Sequence, residues 1–177
     1  MRLSTLGRYA LRAMVDLALH QDQGPVLRKD IVARQEISSN YLAHLFAKLK
    51  QARLINSMMG PGGGYVLARN ADAISAGDVL RAVDEVLEPV FCVAPAPEVA
   101  CPRVDSCVTH LLWRRLSQHI VELLNSVTLA ELCTQSRLLV EKEPLDRTCG
   151  NTAMGGCRVE RRVGQFSNCV FMDGAGI

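Results

Sequence analysis

Apolar residues change their spacing several times along this chain, and each change marks an element. Across residues 5–20, Tyr9, Ala10, Ala13, Met14, Leu17 and Ala18 recur at helical spacing as one stripe, and Gly24-Pro25 closes it. Residues 28–35 predict a short second helix, and Gln35-Glu36-Ile37 turns into a third that Ser38 caps. In that third helix Leu42, Leu45, Phe46 and Leu49 share one face. The other face carries Ser39, Asn40, Ala43, His44, Ala47 and Lys50, which are small, polar or basic. Two strand-like runs, 54–59 and 65–68, flank Gly60-Pro61-Gly62-Gly63-Gly64 and predict a β-hairpin. Ser75 then caps a helix through Val79, Leu80, Val83 and Val86.

The pattern breaks at residues 89–107, where Pro89, Pro95, Pro97 and Pro102 exclude regular structure over most of the stretch. It resumes as one long stripe: Val108, Leu111, Leu112, Leu116, Ile120, Leu123, Leu124 and Val127. Thr128 caps a last helix from Leu129 to about Glu141, with Cys133 among its apolar residues as a core thiol. From Pro144 periodicity is absent, and six of the thirteen glycines fall in residues 150–176.

Two helices joined by a tight turn, followed by a glycine-tipped hairpin, are in the order of a winged helix-turn-helix. The fold class expected is mainly α: a winged helix-turn-helix DNA-binding domain over residues 1–88, a Cys/His cluster-binding loop over 89–110, a long dimerisation helix and the following helix over 108–142, and an unordered tail over 143–177. A helix with a thin, hydrogen-bonding outer face fits a DNA major groove, and glycines let a wing tip approach phosphates closely. A phosphate-binding P-loop is excluded, because no Lys-Ser/Thr follows the glycines. A long apolar helix beyond such a domain points to a homodimer with two recognition helices on a palindromic site.

Charge sharpens this picture. The chain of 177 residues has a net charge of only +2, yet residues 1–70 carry ten Lys/Arg against four acids, leaving a rear half at −4. A polyanionic partner is therefore expected for the front half alone. No stretch is apolar for the length of a membrane span, and Arg8, Arg12 and Asp16 interrupt any leader-like run, so a cytoplasmic protein is expected. Seven cysteines in a reducing compartment favour metal or redox chemistry over disulfides.

Cys92, Cys101, Cys107 and His110, spaced Cys-x8-Cys-x5-Cys-x2-His, are a full ligand set for zinc or a small iron–sulphur cluster. The close Cys-x2–4-Cys knuckle of most zinc sites is absent, which favours the cluster. Cys149, Cys157 and Cys169 in the tail show no ligand spacing.

Taken together, Met1-Arg2-Leu3-Ser4 with Gly7-Arg8-Tyr9-Ala10, the Ile37-Ser38, Tyr41-Leu42 and Leu45-Phe46 pairs, the Gly60–Tyr65 run, Val83-Asp84-Glu85, Leu112-Trp113 and Thr128-Leu129-Ala130-Glu131-Leu132 resemble the Rrf-two family of bacterial winged-helix regulators, to roughly residue 135. Within it the likeness is to members that hold an iron–sulphur cluster. The resemblance implies a homodimer with one [2Fe–2S] cluster per subunit on Cys92, Cys101, Cys107 and His110. It also implies cluster-dependent DNA affinity, control of cluster-assembly genes as repressor or activator, and iron–sulphur donor proteins as further partners. The expected DNA contacts are Arg2, Arg28, Ser38, Ser39, Asn40, Tyr41, His44, Lys48, Gly60, Pro61, Gly62, Gly63, Gly64 and Tyr65. Met59 and Ala43 depart from the family pattern, which usually has Arg and an acidic residue there. No enzymatic activity is expected. Two other readings compete: a zinc-stabilised regulator of the same fold, and a redox or electron-transfer protein, which leaves the basic front half without a purpose.

Overall fold

The computed structural model describes residues 3–60, 62–94 and 101–142. Arg2, Pro61 and the whole of the expected tail, with its three cysteines, lie outside them. Among the described residues, six α-helices and a two-stranded sheet follow in the order α1 (Thr5–His20), α2 (Arg28–Gln35), α3 (Ser39–Gln51), β1 (Ile55–Met58), β2 (Gly64–Leu67), α4 (Ala76–Ala82), α5 (Val108–Ser126) and α6 (Leu129–Lys142).

The stripe expected on α1 is the centre of the core. Ala10, Ala13, Met14 and Leu17 are buried, and α2, α4 and α6 all pack around this helix. From α3 the core receives Leu42, Leu45, Phe46 and Leu49, so the helix presents one packed face and one free face. Ser38 caps it as expected, its Oγ accepting from the Tyr41 N–H at 3.3 Å. Thr128 likewise accepts from the Glu131 N–H at 3.2 Å at the start of α6. Cys133 is buried against α1, a core thiol whose pKa burial pushes up.

One feature of α1 was invisible to periodicity. Asp16 is only 2% exposed, and Gln35 only 1%. The Asp16 carboxylate accepts from Arg34 Nε at 2.9 Å, Arg34 Nη2 at 2.7 Å and Gln35 Nε2 at 3.0 Å. Arg12 closes the network by donating to Gln35 Oε1 at 3.1 Å and to the Gln35 carbonyl at 2.8 Å. Those bonds tie the end of α2 to the flank of α1 immediately before the turn into α3, which Glu36 makes in a left-handed conformation at φ 53°. Hydrogen bonding to Asp16 also raises the Arg34 pKa above its usual value.

The hairpin forms in the register Ile55↔Leu67 through Met58↔Gly64. Val26, just before α2, exchanges two 2.9 Å hydrogen bonds with Tyr65, so the hairpin is zipped to the helix-turn-helix. At the tip Gly60 and Gly62 hold φ of 106° and 79°, values that side chains rarely adopt.

One expected boundary is wrong. The helix after Ser75 ends at Ala82, and Val86 is exposed instead of continuing its stripe. Asp84 adopts a left-handed φ of 58°, which breaks the helix, and Leu87 is the residue that reaches the core. The Glu85 carboxylate then turns back to accept from the Ser4 N–H at 2.8 Å and from the Ser4 hydroxyl. Glycine at position 7 permits this closure, because an added Cβ would lie 2.5 Å from Glu85 Oε2.

Candidate nucleic-acid interface and metal centre

The free face of α3 gathers the residues expected in a groove. Ser39, Asn40 and His44 are exposed, while the Ser38 hydroxyl serves as the helix cap. Tyr41 is half-buried, edge-on to Tyr9 at 5.6 Å between ring centroids. Lys48 is half-buried too, and its Nζ lies 2.7 Å from Asp84 Oδ2. Arg28 is exposed at the first turn of α2. On the wing, Gly60 and Gly62 are exposed, and Gly63 and Gly64 are half-buried. The Tyr65 ring packs edge-on against Phe46 at 4.6 Å, so its backbone belongs to the wing but its ring supports α3. Met59 is fully exposed at the root of the tip.

The sequence-level charge count overstated the free cations. Arg34 and Arg12 serve the Asp16 network, and Lys50 donates to Ser57 at 2.7 Å. Asp84 and Glu85 take side-chain partners that sequence reasoning does not anticipate. Their partners, Lys48 and Ser4, lie 36 and 81 positions away, and no local pattern signals such pairings.

The four expected ligands fall around the start of α5. Cys107 is its N-cap residue, and the His110 N–H donates to the Cys107 carbonyl at 3.1 Å. Cys101 opens the turn leading there, its carbonyl accepting from Val104 at 3.2 Å. Cys92 sits on a single 3-10 turn, Phe91–Val93, that packs against α5. Among the described residues no three Cys, His, Asp or Glu side chains already converge as a finished metal site. The donor chemistry nonetheless fits one. Cys92, Cys101 and Cys107 are free, half-buried thiols. His110 Nδ1 is buried without a hydrogen-bond partner among the described residues, a costly state for a ring nitrogen that a metal bond would relieve. Hydrogen bonds from Thr109 Oγ1, at 3.0 Å, and from the His110 N–H lower the Cys107 pKa toward the thiolate a metal requires.

Beyond the loop, α5 leaves an apolar face uncovered. Val108, Leu111, Leu112, Leu116 and Leu123 are exposed, whereas Ile120, Leu124 and Val127 are half-buried. The helix is fixed at its far end, where Arg81 of α4 donates to Asn125 Oδ1 at 2.8 Å and Ala76 N–H donates to the Val127 carbonyl at 2.9 Å.

A helix-turn-helix braced on α1 and zipped to a glycine-tipped hairpin defines a winged-helix DNA-binding protein. Comparison with known proteins gives the same class. The profile of the Rrf2 family, described as iron-dependent transcriptional regulators, matches residues 3–135. The HTH-type transcriptional regulator IscR of Erwinia tasmaniensis is 47% identical over 140 residues, 79% of this chain and 83% of its own. The IscR of Pectobacterium atrosepticum is 44% identical over 155 residues, 88% of this chain and 93% of its own. Among solved structures, T. potens IscR superposes with a TM-score of 0.62 at 35% identity, covering 77% of this chain and 88% of that one. CymR, the global cysteine regulator of B. subtilis, gives 0.62 at 35% identity over 76% of this chain and 98% of its own. The chain belongs to the Rrf2 family of DNA-binding transcription regulators, as its sequence motifs implied, and like its relatives it is a regulator and not an enzyme. No helix among the described residues is long and apolar enough to cross a membrane.

Proposed function

We propose that this regulator holds one [2Fe–2S] cluster per subunit on Cys92, Cys101, Cys107 and His110, and that cluster occupancy sets its affinity for operators of iron–sulphur assembly genes. The observation that carries the reading is His110 Nδ1, buried and without a partner among the described residues, one helical turn from the Cys107 thiol. Bound there, a cluster supplies a reducible, acid- and oxidant-sensitive centre. The chain's own residues set its properties: three thiolates provide charge, while a neutral imidazole in place of a fourth raises the potential and is released when acid protonates it.

The active form is a cytoplasmic homodimer on a palindromic duplex. The uncovered Leu111, Leu112, Leu116 and Leu123 face supports the dimer, since an apolar face of this extent is stabilised by a partner copy. Asn40 and His44 read base edges from α3, and the wing glycines lie along phosphates. Iron–sulphur donor proteins load the site. The test is an absorption spectrum and metal analysis of protein purified without oxygen. A visible chromophore with two irons and two sulphides per subunit is expected. A colourless protein with stoichiometric zinc overturns the cluster and leaves the zinc-stabilised regulator in its place.

A further inference from the structure

Lys48 follows His44 by one helical turn, so it borders the groove-facing side of α3. A lysine in that position is placed to meet a DNA phosphate, yet its Nζ is already 2.7 Å from the Asp84 carboxylate. The pair is not a stabilising feature of any size. The Asp84 side chain is 82% exposed, and exposed ion pairs shift an equilibrium by no more than about fivefold.

The backbone that carries the carboxylate is nevertheless held in place. Asp84 occupies a left-handed conformation at φ 58°, with its N–H bonded to the Arg81 carbonyl at 3.1 Å. Glu85 beside it is anchored by its own N–H to the Leu80 carbonyl at 3.1 Å and by its carboxylate to Ser4. Two residues later Leu87 is buried. A solvated carboxylate carried on that turn and engaging a lysine beside the groove face has the charge and reach of a DNA phosphate oxygen.

We propose that Asp84 is an internal competitor for Lys48, standing in the free protein where a DNA phosphate stands in the complex. A duplex then gains the Lys48 contact only by an exchange of one anion for another. The exchange withholds one counterion-releasing contact from weak, sequence-independent encounters and leaves discrimination to the base-reading residues of α3. The inference rests on α3 being the groove-entering helix.

The test is a double-mutant cycle on the full chain with Asp84→Asn, Lys48→Ala and both, measured by titration of a mixed-sequence duplex across a salt series. Circular dichroism melting confirms that all four proteins fold alike. Asp84→Asn is expected to tighten binding roughly two- to fivefold and to steepen the slope of log affinity against log salt by about 0.9, the value of one added phosphate contact. In the Lys48→Ala background the same substitution is expected to give neither change. A gain of equal size in both backgrounds means that Asp84 acts only through the general field of the protein, and overturns the proposal. So does an Asp84→Asn variant with the parent's affinity and slope. Lys48→Ala alone is expected to match the parent on this duplex, where the contact is withheld, and a slope shallower by about 0.9 shows that the parent already makes it and overturns the proposal. Failure of the groove placement reads out separately, as an Asn40→Ala, His44→Ala protein that still discriminates a selected duplex from this one, and the competition falls with it.

Discussion

Asp16→Ala removes the acceptor at the centre of the network that holds α1 to α2. The carboxylate is 2% exposed and takes three hydrogen bonds, two of them from one guanidinium. Breaking a buried ion pair by deleting one partner costs about 3–5 kcal/mol, because the remaining charge is left uncompensated. Arg34 retains 21% side-chain exposure and can turn partly toward water, which argues for the lower half of that range. Gln35, at 1% exposure, cannot do the same, and losing its bond to Asp16 adds about 1 kcal/mol. A loss of about 4–5 kcal/mol is thus expected, a large share of the roughly 5–15 kcal/mol that stabilises a domain. At about 2–4 °C per kcal/mol for a chain of this size, melting should fall by roughly 8–20 °C. Urea unfolding followed by circular dichroism gives the free energy directly, with the slope expected to stay at the parent value. A loss below about 1 kcal/mol would refute the reasoning, showing that Arg34 and Gln35 find other partners.

Three further outcomes follow from the structure. At Asp78, partial burial works to raise the pKa, but hydrogen bonds from Ser75 and Arg81 outweigh it and hold the carboxyl below its usual value. Its stabilisation is therefore present above the ordinary carboxylate range and lost as pH falls through the folded-state value. Ser75→Ala removes the hydroxyl cap but keeps the main-chain N–H that donates to Asp78, so it should cost about 1 kcal/mol near neutrality while pH-dependent melting keeps most of that acid limb. In the metal-free chain, Cys107, with its lowered pKa, should react with iodoacetamide well before buried Cys133, a difference peptide mass spectrometry can time. Leu116→Glu or Leu123→Glu places a charge on the uncovered α5 face, and sedimentation should then find monomers in place of dimers. An unchanged dimer would locate the seam elsewhere.

Much of the architecture was legible because it rests on short-range signals. The α1 stripe, the Ser38 and Thr128 caps and the glycine hairpin all appear where local spacing put them. What escaped was long-range pairing of polar groups. Asp16 was read only as a break in an apolar run, yet it is the buried anchor of α2. The Val86 position failed because the Asp84 backbone turn, stabilised through Glu85 and Ser4 at the far end of the domain, overrides a helical repeat. Arg12, Arg34 and Lys50 counted as interface charge until the fold assigned them internal partners. The four candidate ligands stand out by spacing, but the state of His110 Nδ1 does not, since burial of one ring atom depends on how α5 meets the rest of the chain.

The central claim is that one chain joins a cluster site to a DNA-reading helix, and a single comparison tests it most directly. Protein purified without oxygen is split in two, one half is stripped of metal by chelation, and both are titrated with a duplex selected by the loaded form from a random library. The account predicts that stripping the metal leaves the protein folded and changes its affinity for that duplex by about fivefold or more, the usual scale of coupling between sites. Equal affinity in the two halves would contradict it.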